Sequence, residues 1–317
     1  MKWVLIFIVI LVLLLVFVYN VINANEDKAL YYPSRKCIWK PTVPYKSVYL
    51  NVNDKPDICS SKERRRSQEY ISGWHFDNFP GKKTVLFCHG NSGNVSHRKY
   101  IIDICHKFKL NLFVFDYRGY GRSDSFPHKL FLREDGDIAY DYLYKYCGIS
   151  DEEIVVWGES LGGITASWIA SRHKCAALIL ICTFSSLDDA ISYRYEGKSK
   201  QAMKFLTNLL SYKMDMIPIK GFLNDVNCPV AILHSVEDEM IPYACSWINY
   251  NSIKHKNKLH LKIKGGHSSP DIKAEQLLKL FNFCDFSLTD VSSDIDMGDM
   301  LDNLRTYASK HNNFISM

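Results

Sequence analysis

The chain has 317 residues, which is enough for one large α/β domain or two small ones. Its contents of 47% hydrophobic and 23% charged residues are typical of a globular protein. The net charge of +5 is too small to require a nucleic-acid partner, and the sequence contains no zinc-finger spacing, Walker loop or basic helix with interleaved aromatics.

The N-terminal 22 residues predict a membrane anchor. Residues 3–22 are apolar or aromatic except for Asn20, and a helix of about 20 residues spans the roughly 30 Å hydrocarbon core of a bilayer. A cleaved signal peptide is the alternative, but this apolar run is long for one and a poor cleavage sequence follows it. We therefore expect a single-pass membrane protein attached through residues 3–22.

The orientation in the membrane stays open. Lys28, Arg35 and Lys36 follow the span closely, whereas Lys2 is the only basic side chain before it. This distribution favours a cytoplasmic domain, but an N-terminal signal anchor can also place a domain in a lumen. Ten cysteines without a C-x-x-C pair, several of them in apolar runs, are typical of free buried thiols and weakly favour a reducing compartment.

Residues 23–45, which contain three prolines, are predicted to form a linker to a domain at residues 46–284. Segments 46–52 and 71–76 alternate like two antiparallel strands. From residue 84 onward, short apolar runs predict buried parallel strands: TVLFC, NLFVFDY, EIVVW, AALILIC, PVAILHS and KLHLKI. Segments long enough for helices separate most of them: about 97–108, 131–146, 161–172, 242–253 and 271–283. This alternation predicts a mostly parallel central sheet with helices on both faces.

Two further segments complete the predicted organisation. Residues 184–227 are too long for a plain connection and predict a small helical insertion. Residues 285–317 are rich in aspartate and predict an acidic C-terminal tail, either a disordered extension or a docking segment.

The stretch VVWGESLGG, residues 155–163, predicts a nucleophile elbow. A strand that reverses into a helix over one residue brings the neighbouring residues into near contact, so Gly158 and Gly162 remove side chains that would clash. Ser160 is then presented at the N-terminus of a helix. A glycine-rich helix start or a phosphate cradle is the alternative interpretation.

A serine hydroxyl needs a base, and that base needs a carboxylate to orient it. His267 follows the last predicted strand after two glycines, and Asp238 follows the strand before it, so the chain order is Ser, Asp, His. Alternatives for the acid are Glu237, Glu239, Asp188 and Asp189. Ser160, Asp238 and His267 are the predicted catalytic residues.

The loop after the first parallel strand, His89-Gly90-Asn91, predicts part of an oxyanion hole. The backbone amides of Asn91 and Leu161 are the two expected donors. His89 is expected to pack under the loop, not to act as a base. Asn94-Val95-Ser96 is a formal glycosylation sequon, but its position beside this loop argues against its use.

With these loops assigned, the chain resembles an α/β-hydrolase of the membrane-anchored serine-hydrolase branch, which includes protein depalmitoylating thioesterases. The matching pieces are FCHGNSGN, FDYRGYGRSDS, VVWGESLGG, TFSSL, HSVEDEMIP and IKGGHSSP, in the family's order within residues 46–284. The resemblance implies an α/β-hydrolase fold with Ser160, Asp238 and His267 as nucleophile, acid and base, and Asn91 and Leu161 as oxyanion donors. Asp116 and Arg118 are read as structural. The thioesterases commonly carry a cysteine-rich N-terminus, where this chain has its apolar run.

The expected activity is therefore hydrolysis of a carboxylic ester or thioester of an acyl chain, a lipid or an acylated protein, with no metal and no organic cofactor. A serine peptidase or amidase using the same triad is one alternative. A non-catalytic membrane-associated scaffold is another, although such relatives usually lose a member of the triad.

Overall fold

The computed structural model describes residues 31–53, 58–59, 68–194, 201 and 219–286. The predicted membrane span, nearly all of the predicted acidic tail and the middle of the predicted insertion lie outside these residues. In the part of the chain that is described, no helix combines the length and apolar character needed to cross a membrane.

The described residues form eleven strands and seven α-helices. The strands are β1 (Tyr32–Pro33), β2 (Lys46–Asn51), β3 (Ile58–Cys59), β4 (Tyr70–Phe76), β5 (Thr84–Cys88), β6 (Ser92–Gly93), β7 (Asn111–Asp116), β8 (Ile154–Glu159), β9 (Ala177–Ile181), β10 (Val230–Ser235) and β11 (Lys258–Ile263). The helices are α1 (Lys99–Lys107), α2 (Lys129–Asp141), α3 (Gly162–Arg172), α4 (Leu187–Arg194), α5 (Ile219–Leu223), α6 (Ala244–Ser252) and α7 (Ala274–Phe283). A π-helical turn, Tyr142–Tyr146, extends α2, and 3₁₀ turns cover Val95–His97 and Asp151–Glu153.

Nine of these strands form one sheet, in the order β11-β10-β9-β8-β5-β7-β4-β2-β3. The six strands from β11 to β7 run parallel, whereas β4, β2 and β3 add antiparallel pairs at the other side. The predicted mostly parallel sheet is confirmed, as is the antiparallel pair formed by residues 46–51 and 70–76. β1 and β6 form a separate two-stranded sheet.

Two hydrophobic cores lie on opposite faces of the sheet, because side chains along a strand alternate between its faces. In β5, Leu86 and Cys88 point into one core, whereas Val85 and Phe87 point into the other. Apolar residues of α2, α3 and α5 complete the first core, and those of α1 and α7 complete the second. The sheet is therefore covered on both faces, as the alternating pattern predicted.

Residues 31–45, which belong to the predicted linker, are docked on the domain. Tyr32 and Pro33 pair with Ser92 and Gly93. The side-chain amide of Asn94 donates to the carbonyl oxygens at positions 34 and 36, both at 2.8 Å. Asn94 is only 2% exposed, so its amide is engaged inside the domain and is not accessible to a glycosyltransferase.

The cysteines match the expectation from their pattern. The nine cysteines whose side chains the structure describes, all except Cys59, are free thiols. Cys37 and Cys147 are exposed, and the other seven are buried.

Candidate active site

The candidate site lies at the carboxyl edge of the parallel strands, where the chain changes direction across the sheet. After β5 the chain continues into β7 on one side of β5, and it later returns to form β8 on the other side. The loops after β5 and β8 therefore separate at this point, and ligands bind at such a switch point in open α/β sheets.

Ser160 follows β8 in a left-handed backbone conformation, with φ of 51°. A non-glycine residue seldom adopts this conformation, and it costs free energy unless the surroundings enforce it. A Cβ atom at Gly162 would lie 1.9 Å from the carbonyl oxygen of Cys88, and one at Gly158 would lie 2.7 Å from the carbonyl oxygen of Gly162. The glycines are therefore required by close backbone packing, as the elbow motif predicted.

Backbone and side-chain hydrogen bonds hold Ser160 in this strained conformation. Its amide donates to the carbonyl oxygen of Ile181 at 3.0 Å, and its carbonyl accepts from the hydroxyl of Thr183 at 2.7 Å. A Cβ atom at Gly163 would lie 2.1 Å from that same hydroxyl oxygen. Gly163 thus leaves room for Thr183 to support the elbow from beneath.

The structure brings Ser160, His267 and Asp238 into one hydrogen-bonded chain. The hydroxyl oxygen of Ser160 lies 2.9 Å from Nε2 of His267, and Nδ1 of His267 lies 2.8 Å from Oδ2 of Asp238. The carboxylate of Asp238 is fully buried, whereas His267 is 9% exposed. One ring nitrogen of the histidine therefore faces the serine while the other faces a buried carboxylate.

Several donors surround the carboxylate of Asp238. Its Oδ1 accepts from the amides of Met240 and Ile241, at 2.9 and 2.7 Å, and its Oδ2 lies 3.5 Å from Nε2 of His234. Burial by itself raises the pKa of Asp238, but hydrogen bonds from His234, His267 and the Ile241 amide outweigh it and bring the pKa below the ordinary value of 3.8. Asp238 is therefore ionised at neutral pH.

The acids beside Asp238 contact the backbone of the histidine loop and not the imidazole. Glu237 accepts from the amide of Gly265, and Glu239 accepts from the amide of His267, both at 2.9 Å. The two glutamates thus hold the loop that carries His267, while Asp238 meets its ring. The more distant alternatives lie elsewhere: Asp188 is exposed, and Asp189 forms an ion pair of 2.7 Å with Lys220.

The loop after β5 lies against the elbow. A Cβ atom at Gly90, the residue before Asn91, would be 3.5 Å from Cβ of Ser160, so the loop at Gly90 is close to the serine. The side chain of Asn91 is turned to Tyr120, whose hydroxyl donates to it at 3.0 Å. Leu161 immediately precedes the first residue of α3, where helix amides lack carbonyl partners. Of the two predicted oxyanion donors, Leu161 is the residue after Ser160, and Asn91 is the residue after Gly90.

Arg98 contributes to this loop in a way that the sequence did not predict. Its Nη2 donates to the carbonyl oxygen of Gly90 at 3.2 Å and also to that of Ser92. The carbonyl of Gly90 belongs to the same peptide unit as the amide of Asn91, and that of Ser92 belongs to the Ser92–Gly93 unit, so Arg98 restrains the loop before and after Asn91. An arginine just before a helix is usually a solvated charge, and only the fold reveals its contacts.

A second contact missed by the sequence involves the residue before the serine. The hydroxyl of Tyr100, on α1, donates to the carboxylate of Glu159. This bond ties the end of β8 to the helix that follows the β5 loop. The pattern of apolar residues in α1 predicts only its buried face, so this polar contact has no sequence signature.

His89 lies beneath the loop, as predicted, and it is His267, not His89, that hydrogen-bonds to Ser160. Its ring packs against that of Tyr117 with centroids 4.6 Å apart, and its Nδ1 lies 2.7 Å from the carbonyl oxygen of Gly90. Burial lowers the pKa of His89 to about 3, so the ring is neutral.

Asp116 and Arg118 have structural contacts, in agreement with their interpretation from the sequence. Asp116 is buried and accepts from the amide of Val95 at 2.8 Å, and burial raises its pKa to about 7. Arg118 is buried against Asp135, with 2.7 Å between Nε and Oδ1. These contacts fix the loops after β5 and β7 against each other and against α2.

One group of side chains has donor atoms close enough to consider for a metal ion. Among the described residues, Cys182, His234 and Asp238 bring such atoms within 4.8 Å of one another. However, Asp238 already accepts from His267, and Nε2 of His234 lies 3.0 Å from the carbonyl oxygen of Ile241. These hydrogen bonds account for the cluster as part of the surroundings of Asp238.

Sequence comparisons relate the chain to named proteins. A family model described as the alpha/beta hydrolase fold matches residues 83–205. The chain is 30% identical over 231 residues to the alpha/beta hydrolase domain-containing protein WAV2 of Arabidopsis thaliana, which covers 69% of this chain and 72% of that protein. It is 32% identical over 164 residues to the protein bem46 of Schizosaccharomyces pombe, and this match spans 51% of the chain but only about half, 53%, of bem46.

The structural comparison agrees on the fold. An esterase of Pyrococcus furiosus, Pf2001, superposes with a TM-score of 0.56 at 17% identity and covers 89% of this chain and 97% of its own. At this identity the likeness concerns the fold alone.

Proposed function

This chain belongs to the α/β-hydrolase superfamily, among the α/β-hydrolase domain-containing proteins, and we propose that it is a serine hydrolase that cleaves a carboxylic ester or thioester. The observation that carries the proposal is the hydrogen-bonded chain from Ser160 through His267 to Asp238. The three side chains come from three separate loops, and their contacts match the geometry that nucleophilic catalysis by serine requires.

In the first step, the hydroxyl oxygen of Ser160 attacks the acyl carbonyl carbon while Nε2 of His267 takes the hydroxyl proton. For this, Nε2 must be unprotonated and Nδ1 must carry the hydrogen. The buried, ionised carboxylate of Asp238, 2.8 Å from Nδ1, stabilises that tautomer and the imidazolium that forms.

The attack places a negative charge on the former carbonyl oxygen. The backbone amides of Asn91 and Leu161 are the proposed donors to it, since Asn91 follows Gly90, which lies close to Ser160, and Leu161 lies at the positive end of α3. The contacts of Arg98 with the carbonyls of Gly90 and Ser92 support a fixed orientation of the Asn91 amide before substrate arrives.

The tetrahedral intermediate then collapses and expels the alcohol or thiol, which receives the proton from His267. Water repeats the sequence: His267 takes a proton from it, the hydroxide attacks the acyl group on Ser160, and the acid leaves as the serine regains its hydrogen. Atoms balance as one ester or thioester plus one water giving one carboxylic acid plus one alcohol or thiol. The side chains described require no metal or organic cofactor for these steps.

The proposed substrate carries an acyl chain, as a lipid or an acylated protein does. This part of the proposal depends on the apolar run at residues 3–22, which would attach the domain to a membrane as a single-pass anchor. A domain attached there meets acylated molecules at a high local concentration.

A matched series of acyl substrates tests the proposal. The full-length chain in detergent is assayed with p-nitrophenyl octanoate, octanoyl thioester and octanoyl anilide, alongside Ser160→Ala. We expect turnover of the ester, the thioester or both that Ser160→Ala abolishes. Turnover confined to the anilide would assign the protein to the amidases, and activity that survives Ser160→Ala would contradict the nucleophile.

A further inference from the structure

Exposed apolar side chains concentrate at the edge of the sheet that holds the candidate site. Ten large hydrophobic side chains are exposed among the described residues, and six of them lie in the segments around this edge: Tyr32, Ile38, Phe126, Tyr193, Val236 and Met240. Tyr32 and Phe126 are 62% and 58% exposed, the first beside the β5 loop and the second in the loop after β7. Exposed apolar groups that share one edge favour contact with an apolar partner.

The same edge carries an excess of basic side chains. The segments involved are 31–38, 89–98, 117–128, 183–194, 235–241 and 264–268, and we refer to them as the active-site rim. The exposed basic residues of the rim are Arg35, Lys36, Arg122, Arg194 and Lys264, against three exposed acidic ones, Asp188, Glu237 and Glu239. Groups of both signs are engaged with the backbone: Glu237 and Glu239 accept from amides of the histidine loop, and Arg35 and Arg194 donate to carbonyl oxygens, so the excess is two basic groups. The rim therefore combines apolar side chains with net positive charge, as surfaces that bind anionic bilayers do.

The described part of the chain begins at this rim, nine residues after the N-terminal apolar run ends. Tyr31 is buried in the domain, and Tyr32 pairs with Ser92, one residue after Asn91. Nine Cα-to-Cα steps separate Ile22 from Tyr31, and a chain of that length reaches at most about 30 Å. A membrane-inserted segment at residues 3–22 would therefore keep Tyr31, and the rim beside it, within about 30 Å of the bilayer.

We propose that the active-site rim docks on an anionic bilayer surface, with the Ser160 site opening toward the lipid. The proposal rests on the anchor of the proposed function and goes beyond it, since an anchor alone leaves the domain free to turn any face to the membrane. Docked in this way, the site receives acyl chains from the bilayer without their passage through water. Tyr32, Phe126 and Met240 would enter the headgroup region, while the basic groups contact lipid phosphates and carboxylates.

Two exposed cysteines at opposite edges of the sheet allow this orientation to be measured by fluorescent labelling. Cys37 is exposed on the rim, next to Ile38, whose amide donates to the hydroxyl of Ser96 at 3.0 Å. Cys147 is exposed near the opposite edge, after the π-helical turn and before β8 begins. Two variants are prepared, both with Cys59→Ser. Adding Cys147→Ser leaves Cys37 for labelling with an NBD maleimide, and adding Cys37→Ser instead leaves Cys147.

The experiment reconstitutes both labelled full-length proteins into vesicles of phosphatidylcholine and phosphatidylserine, with and without lipids that carry a shallow nitroxide. We expect a blue shift and nitroxide quenching of the Cys37 label, and neither for the Cys147 label. Quenching of the Cys37 label should weaken in vesicles of phosphatidylcholine alone. Phe126→Glu should reduce it further, whereas Tyr144→Glu, an exposed aromatic residue outside the rim, should leave it unchanged.

Equal quenching of the two labels, or none at Cys37 in a protein that floats with the vesicles, would overturn the docking inference while leaving the anchor intact. Failure to float at all would overturn both the anchor and the docking. Neither result would bear on hydrolysis, which labelling of Ser160 in detergent measures separately.

Discussion

Replacing Asp238 with asparagine tests how the carboxylate acts on His267. Asparagine has nearly the same size, and the structure determines how it would be oriented. Oδ1 of Asp238 accepts from the amides of Met240 and Ile241, so the asparagine oxygen should keep that position and its NH₂ group should take the place of Oδ2, beside Nδ1 of His267. The opposite orientation would set the NH₂ group against two N–H donors.

The expected consequence is the wrong tautomer. The asparagine NH₂ donates to Nδ1, so the ring hydrogen moves to Nε2, the atom that lies 2.9 Å from the hydroxyl of Ser160. Nε2 can then no longer accept the serine proton. We expect kcat to fall about 10⁴-fold, equivalent to about 5 kcal/mol of lost transition-state stabilisation, with little change in KM.

The assay compares kcat and KM for a p-nitrophenyl ester, with near-ultraviolet circular dichroism to confirm folding. Glu239→Gln is the matched control, because glutamine keeps an oxygen that can accept from the amide of His267. We expect this control to stay within about threefold of the wild type. A folded Asp238→Asn variant that retains more than a tenth of the wild-type kcat, or a Glu239→Gln variant that loses as much as Asp238→Asn, would refute the reasoning.

Three further predictions concern the elbow, the oxyanion loop and acid stability. Gly162→Ala should prevent folding or lower Tm sharply, because the added methyl would meet the Cys88 carbonyl at 1.9 Å, whereas Gly90→Ala, whose nearest contacts are 3.5 Å away, should keep Tm near that of the wild type in a thermal melt. Arg98→Lys should lower kcat about tenfold at unchanged KM, because the flexible lysine side chain lacks the rigid, planar guanidinium that holds one nitrogen between the two carbonyls. Steady-state kinetics showing a change in KM alone would contradict this. The pKa of Asp238 is lower in the folded protein than in the unfolded chain, so its contribution to stability is present above about pH 4 and is lost as the pH falls below that toward the folded-state pKa. Tm should therefore drop more steeply below about pH 4 for the wild type than for Asp238→Asn, and parallel curves would argue against it.

The sequence predicted most of what depends on local pattern. The parallel strands are short apolar runs between helical segments, so their number and type could be read directly, and the α/β-hydrolase superfamily is confirmed. The glycines at positions 158 and 162 predicted the sharp turn at Ser160, since only close backbone contacts explain them at a strand–helix junction. The sequence favoured Asp238 but left Glu237 and Glu239 as alternatives for the acid that contacts the imidazole of His267, because the choice depends on the conformation of one loop.

The features that the sequence did not predict depend on contacts between distant segments. The predicted linker, residues 23–45, contains three prolines and no helical or strand period, but the structure docks residues 32–36 against the β5 loop through Asn94 and the pairing of β1 with β6. The contacts of Arg98 likewise follow from a loop closing over a side chain at a helix start. Neither arrangement leaves a periodic signal in the chain.

Active-site labelling tests the central claim most directly. The full-length protein in detergent is treated with a fluorescent fluorophosphonate, beside Ser160→Ala and His267→Ala, with circular dichroism to confirm that all three are folded. We predict rapid labelling of the wild type, no labelling of Ser160→Ala and at most slow labelling of His267→Ala. A folded wild type that does not react, or a Ser160→Ala variant that labels as the wild type does, would contradict the account of Ser160 as an activated nucleophile.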